Sequence, residues 1–190
     1  MLQRKWASTS AKQQSSRVLR YFRIGGRTSP TLLSLRPATL QDVPLILSFI
    51  RELAEYEREP EAVHCSEDDL RRDGFGPNPK FRVTIAEWNS KPAGMALFFY
   101  NYSTWQGRPG IYLEDLFVRP EFRKNGIGKA LLIHLAKTAL AENCYGLRWE
   151  VLNWNESAME FYRSLGSGFR ENWRVMQITG EELKQLARRG

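Results

Sequence analysis

Two acids stand where acids are rare. The run GIYLEDLFV, residues 110–118, is otherwise rich in Ile, Leu, Tyr, Phe and Val and reads as a strand. Carboxylates are depleted in strands and costly to bury alone, so Glu114 and Asp115 are candidates for chemistry. Strict alternation would send them to opposite faces: Glu114 with Tyr112 and Leu116, Asp115 with Leu113 and Phe117. A salt bridge, or one acid facing water, is the structural alternative. Pro120 closes the strand, since proline cannot donate into a sheet ladder. The loop FRKNGIGKALL, residues 122–132, comes next.

That loop opens a helix, because Ile127, Leu131, Leu135 and Ala139 recur every four residues. The first N–H groups of a helix have no partner within it, and with the helix dipole they attract anions. Glycine lets a phosphate approach the backbone closely. Arg123, Lys124 and Lys129 add positive charge, so the loop is expected to hold a phosphate, and specifically a pyrophosphate. It is not a dinucleotide fingerprint, which needs glycine where Leu131 stands. Nor is it a Walker loop, which needs glycine at Arg123 and Ser or Thr at Ala130. An ordinary helix start with solvated charges is the plain alternative.

Other candidates are weaker alone. Tyr162, in EFYRSLG, is a core aromatic unless the fold brings it to the ligand of the loop. The acids between Glu55 and Glu61 are a solvated run unless they line a cleft, where they would attract a cation. Tyr102 and Trp105 could cover an alkyl or amine substrate, and hairpin packing explains them equally well. Cys65 and Cys144 are too few for a disulfide scaffold and have no C-x-x-C spacing, which fits a reducing, cytoplasmic setting. His64, in a loop, and His134, read as a helix-boundary residue, lack metal-ligand spacing, and no metal is expected.

The net charge of +7 misleads until it is placed. Residues 1–36 hold eight basic residues and no acid, and the remaining 20 basic residues face 21 acids, a balance of −1. Bulk charge on the body therefore gives no case for nucleic-acid binding. No run of eighteen apolar residues suggests a membrane span. Residues 1–32 read as a disordered, Ser-rich basic extension, with organelle targeting the minority reading. Residues 33–190 read as one domain.

Several elements must position these residues. LLSLRPAT (32–39) reads as a short edge strand, and Thr39 with Asp42 as the capping box of a first helix. Ser66 with Asp69 caps a second helix, and strands follow at 81–88, 93–102 and 110–118. After the helix at 126–143 come a strand at 147–152 and a helix at 153–166 capped by Asn155 and Gly166. A last strand at 173–178 and a helix capped by Thr179 with Glu182 complete the order. The fold class is mixed α/β (α+β), with a central, mainly antiparallel sheet flanked by helices.

Assembled, these motifs resemble the GCN5-related N-acetyltransferases. Arg123-Lys124-Asn125-Gly126-Ile127-Gly128 matches their R-x-x-G-x-G acyl-CoA loop, after the expected strand. Asn155, Ala158, Phe161-Tyr162, Gly166 and Gly168-Phe169 match their second motif. Within that family RELAEYE, DGFG-NP, YSTW, YLEDLFV, GIG and WNESAMEFY look most like the diamine, or spermidine/spermine, acetyltransferases.

The resemblance implies acetyl-CoA as donor and a strand splayed from its neighbour at the acyl-CoA site. Leu116, Phe117 and Val118 would meet the pantetheine arm, Arg123 to Lys129 the pyrophosphate, and Asn155 and Ala158 the rest of the cofactor. Tyr162 would be the general acid, and Glu114 would contact the amine and relay its proton. Tyr56, Glu57, Asp115, Trp149, Glu150 and Glu171 fall at substrate-cleft positions. The implied acceptor is a small cationic amine (polyamine, diamine or lysine-like amino acid), and the implied assembly a homodimer. Arg148 departs from the pattern, because an arginine there would repel a polyamine. A protein or peptide amine, or a non-catalytic acyl-CoA module, is the competing expectation.

Overall fold

The computed structural model describes residues 16–24 and 27–189, with side chains from Leu32 onward. The chain divides into two units at Leu152/Asn153, and each is described by itself.

The first unit is built on strands β1 (Ser16–Ile24), β2 (Arg27–Pro37), β3 (Arg82–Trp88), β4 (Lys91–Ser103), β5 (Arg108–Val118) and β6 (Leu147–Arg148). They pair in chain order as one six-stranded sheet. Every pairing is antiparallel except β5–β6, which is parallel over Ile111↔Leu147 and Tyr112↔Arg148 alone. The stretch expected as an extension outside the domain contains β1 and the start of β2. The expected edge strand at 32–39 is instead flanked on both sides, by β1 and β3.

Helix α1 (Val43–Glu57) follows the expected capping box: the Thr39 N–H and hydroxyl both donate to Asp42 Oδ2, at 2.7 and 2.9 Å. Bidentate bonds from Arg36 to Asp42, at 2.8 Å each, tie this helix start to β2 and hold the Asp42 carboxyl down at about 2. Helix α2 (Glu67–Phe75) starts at the Ser66–Asp69 box, as its sequence requires. Val43, Ile46, Leu47 and Phe49 of α1 and Leu70 of α2 bury against Val83 and Ile85 of β3, Met95 and Leu97 of β4, and Phe117 of β5. Helix α3 (Ile127–Ala141) buries Ile127, Leu131, Leu135 and Ala139, the fourfold spacing of the sequence, and packs on β5 and β4. His134 lies inside this helix rather than at its boundary, because the apolar face continues to Ala139.

The second unit holds α4 (Glu156–Arg163) and α5 (Gly180–Ala187). The strand expected at 173–178 does not form, and Trp173, Val175, Met176 and Ile178 are exposed. Apolar residues make a strand only where a neighbour supplies backbone partners. The same argument shortens the expected strand at 147–152, of which only Leu147 and Arg148 pair. Thr179 stands at the N-cap of α5 without a side-chain cap bond, so the expected box with Glu182 is not made. Among the described residues no helix is long and apolar enough to cross a membrane.

Candidate active site

A β-bulge decides which way the two strand acids point. Leu97 faces Asp115, yet the next residue, Phe98, faces Leu113, so Glu114 is the extra residue on β5. The bulge resets the alternation expected from sequence. Asp115 keeps the face of Phe117 and the α1 core, whereas Leu113 turns to the opposite face with its partner Phe98. Tyr112 pairs with Phe99 and stacks on it at 5.0 Å, which returns Tyr112 to the Asp115 face. Strict alternation had separated Tyr112 from Asp115, and the single inserted residue is the reason it fails.

Four acids gather there. Burial first, then the charges of Glu114 and Glu57, push Asp115 up to about 7. Glu57, the last residue of α1, is itself raised by burial. The Tyr112 hydroxyl donates to Glu150 Oε1 at 2.7 Å. Burial, that bond and the nearby Glu114 charge push Tyr112 up to about 12, so it stays a protonated donor at neutral pH. Glu114 is exposed at the bulge, adjacent to both Asp115 and Tyr112. No cluster of three or more potential metal ligands exists among the described residues.

Beyond Tyr112 the β5 edge facing β6 has no partner in β6, because that pairing stops at Arg148. Leu116, Phe117 and Val118 lie on this unpaired stretch, as a splayed strand requires. The turn after it presents Lys124 and Gly126 with left-handed backbone, at φ 64° and 75°. The first bond of α3 runs from the Ala130 N–H to the Gly126 carbonyl at 3.0 Å, so the N–H groups of Ile127, Gly128 and Lys129 precede it. Arg123, Lys124 and Lys129 are exposed around that helix start. Asn125 braces the turn by donating to the Phe122 carbonyl at 3.1 Å. This donor set fits a pyrophosphate.

Arg123 connects the two halves of the site. Its Nε donates to the Val118 carbonyl at 3.0 Å, and its guanidinium lies 4.6 Å from the centre of the Tyr56 ring. Tyr56 thereby meets the anion loop from the end of α1. Arg119, which the sequence reading passed over, anchors the same turn. It donates to both carboxylate oxygens of Glu52 (2.9 and 2.7 Å) and lies 4.8 Å from the centre of the Phe49 ring. A lone arginine closing an apolar strand was the signal available for it.

The second unit carries the other motif. Asn155 is buried, and its Oδ1 caps α4 by accepting from the Ala158 N–H at 3.2 Å. Tyr162 is half-buried, its ring 5.2 Å from that of Phe161. Glu171 is exposed. Asn155, Ala158, Tyr162 and Glu171 thus belong to one unit, and Tyr56, Glu57, Glu114, Asp115, Trp149 and Glu150 to the other. Burial raises both cysteine thiols, which keeps them protonated and poor as nucleophiles.

Residues 46–167 match the model of the acetyltransferase (GNAT) family. Over 164 residues the chain is 42% identical to thialysine N-epsilon-acetyltransferase of Bos taurus, covering 80% of this chain and 96% of that one. It is 34% identical over 171 residues to spermidine/spermine N(1)-acetyltransferase-like protein 1 of Homo sapiens, covering 85% of this chain and 24% of the longer protein. Among solved structures, an integron cassette protein from the mobile metagenome of V. cholerae superposes with a TM-score of 0.70 at 26% identity, covering 82% of this chain and 97% of its own. The chain belongs to the GNAT family and is an acetyl-CoA-dependent N-acetyltransferase.

Proposed function

We propose that the protein transfers an acetyl group from acetyl-CoA to a primary amine of a small cationic acceptor, a polyamine, diamine or lysine-like amino acid. The carrying observation is the gathering of acids on the strand that runs into the anion-binding turn, Glu57 and Glu114 beside Asp115, and Glu114 and Glu150 beside Tyr112. The names of the relatives, a thialysine and a spermidine/spermine-type acetyltransferase, support the same acceptor class.

The chemistry follows from charge. An alkyl ammonium has a pKa of about 10.4 and cannot attack until it loses a proton. Glu114 would accept that proton through water, with Asp115, held near neutrality, the acid beside it. The amine would then attack the thioester carbonyl directly, and a backbone N–H of the 116–118 stretch would steady the oxyanion. The anion loop and helix start, Arg123 to Lys129, would hold the pyrophosphate; the family motif gives Asn155 and Ala158 the remainder of the cofactor. The family motif gives Tyr162 the return of a proton to the leaving thiolate. We extend the proposal to a homodimer, on the family resemblance alone, and to the cytoplasm, on the two cysteines too few for a disulfide scaffold.

The test is thiol release from acetyl-CoA with spermidine, spermine, putrescine, lysine, S-aminoethyl-cysteine and a histone-tail peptide. Wild type is compared with Tyr162→Phe. Turnover on a small cationic amine, with kcat lowered at least tenfold by the substitution, is the expected result. Turnover on the peptide alone would move the acceptor to a protein amine.

A further inference from the structure

Resting on that reading, we propose that Arg148 and Glu150 together read an α-amino acid head group, Arg148 taking the carboxylate and Glu150 the ammonium. The four acids explain attraction of a cation. They do not explain an arginine among them.

The position of Arg148 follows from contacts. Gly110 and Tyr112 lie two residues apart on one face of β5. A Cβ on Gly110 would fall 2.4 Å from the Tyr145 ring, so that ring lies over Gly110 on the Tyr112 face. The Arg148 guanidinium sits 5.3 Å from the centre of the Tyr145 ring, on the same side. Arg148 is also the register partner of Tyr112, whose hydroxyl holds Glu150. Arg148 and Glu150 therefore flank one tyrosine, one positive and one negative. Arg148 is exposed and makes no ion pair among the described residues. Stacking fixes a guanidinium plane while leaving its N–H edge to a carboxylate, a fork that suits two oxygens at once.

The spacing fits a lysine-length molecule. Asp115 faces Leu97 and Tyr112 faces Phe99, so the reacting end and the Arg148–Glu150 pair are two residues apart along β4. At about 3.4 Å per residue that is roughly 7 Å, close to an extended lysine side chain. A polyamine would place a second ammonium against Arg148 and be repelled. An amino acid would offer a carboxylate there and an ammonium to Glu150.

Lysine and cadaverine are a matched pair, because cadaverine is lysine without its carboxylate. With wild type, kcat/KM for lysine or S-aminoethyl-cysteine is expected to exceed that for cadaverine at least tenfold. Arg148→Met is expected to collapse that ratio at least tenfold, chiefly through KM for the amino acid. Arg148→Lys should recover part of it, since charge remains but the fork is lost. Glu150→Gln should raise KM for lysine more than for Nα-acetyl-lysine, which has no α-ammonium. A lysine-to-cadaverine ratio equal in wild type and Arg148→Met, with both amines turned over, would sink the assignment and leave the acetyltransferase reading standing. Wild type that acetylates no small amine would overturn both.

Discussion

The hydroxyl of Tyr112 donates to Glu150 across the only parallel strand pair among the described residues, at 2.7 Å. That bond holds a carboxylate where β6 ends, at the mouth of the splay. Tyr112→Phe should leave the sheet intact, since the Phe99 stack survives it. It should raise KM for a cationic acceptor about 3- to 10-fold by releasing Glu150, the loss of one charge-assisted hydrogen bond. KM for acetyl-CoA should not move. Steady-state kinetics in both substrates check this, and an equal rise for both would mean the fold had suffered instead.

Most of the fold was legible because its signals are local. The Thr39–Asp42 and Ser66–Asp69 boxes each satisfy helix N–H groups with a side chain three residues away. The fourfold spacing from Ile127 to Ala139 is the buried face of α3. What could not be read depends on partners distant in sequence. The bulge at Glu114 is a register shift between two strands, visible only once both are paired. Residues 173–178 are rich in apolar side chains, as a strand often is, yet pairing is a property of the neighbour. The anion turn was legible through its glycines and basic residues, while the bond from Arg123 to Val118 that ties it down was not. The same holds for Arg119 and Glu52, which are 67 residues apart.

That pair carries the second expectation. Arg119 bonds Glu52 through two nitrogens, Ser48 donates to Glu52 at 2.6 Å, and the Arg119 N–H reaches the Ala93 carbonyl at 2.9 Å. The bonds from Arg119 and Ser48 hold Glu52 below the usual carboxylate range. A lowered carboxyl contributes stability that is present above its unfolded pKa and lost as pH falls through the folded value. Glu52→Gln should therefore cost about 1–3 kcal/mol at pH 7, with the deficit shrinking toward strongly acid pH. It should also raise KM for acetyl-CoA, since Arg119 starts the anion turn. Urea midpoints at pH 7 and at pH 3, with acetyl-CoA kinetics, decide it. A constant deficit at both pH values would mean that charge is not what the pair contributes.

Asp115 has the opposite sign. Its carboxyl is raised to about 7, by burial first and then by Glu114 and Glu57. Stability from a raised group is fully present below its unfolded pKa, near 4, and lost as pH rises through about 7. Asp115→Asn removes the buried charge. It should be more stable than wild type at pH 8 by about 1–3 kcal/mol, with little difference near pH 4. Catalytic efficiency should fall in the same variant, because a cationic acceptor loses a partner. Chemical denaturation at the two pH values is the check, and an offset of equal size at both would contradict a shifted carboxyl.

Gly94 sets how closely β4 and β5 approach beside the splay. An alanine Cβ there would stand 2.2 Å from the Phe117 carbonyl oxygen and 3.0 Å from the Val118 Cα. Both obstacles are backbone, so no side chain can swing aside and the strands must part. Gly94→Ala is expected to cost about 1–3 kcal/mol, the range for overpacking a tight contact. The movement falls on Phe117 and Val118, two residues expected to meet the pantetheine arm, so KM for acetyl-CoA should rise several-fold. Gly146→Ala is the control, since a Cβ there meets nothing within 4 Å. Thermal unfolding and acetyl-CoA kinetics on the two variants separate the outcomes. Equal behaviour would show that the close approach at Gly94 constrains neither stability nor the donor site. A Gly94→Ala enzyme that folds stably but binds acetyl-CoA weakly would place the effect at the spacing of β4 and β5.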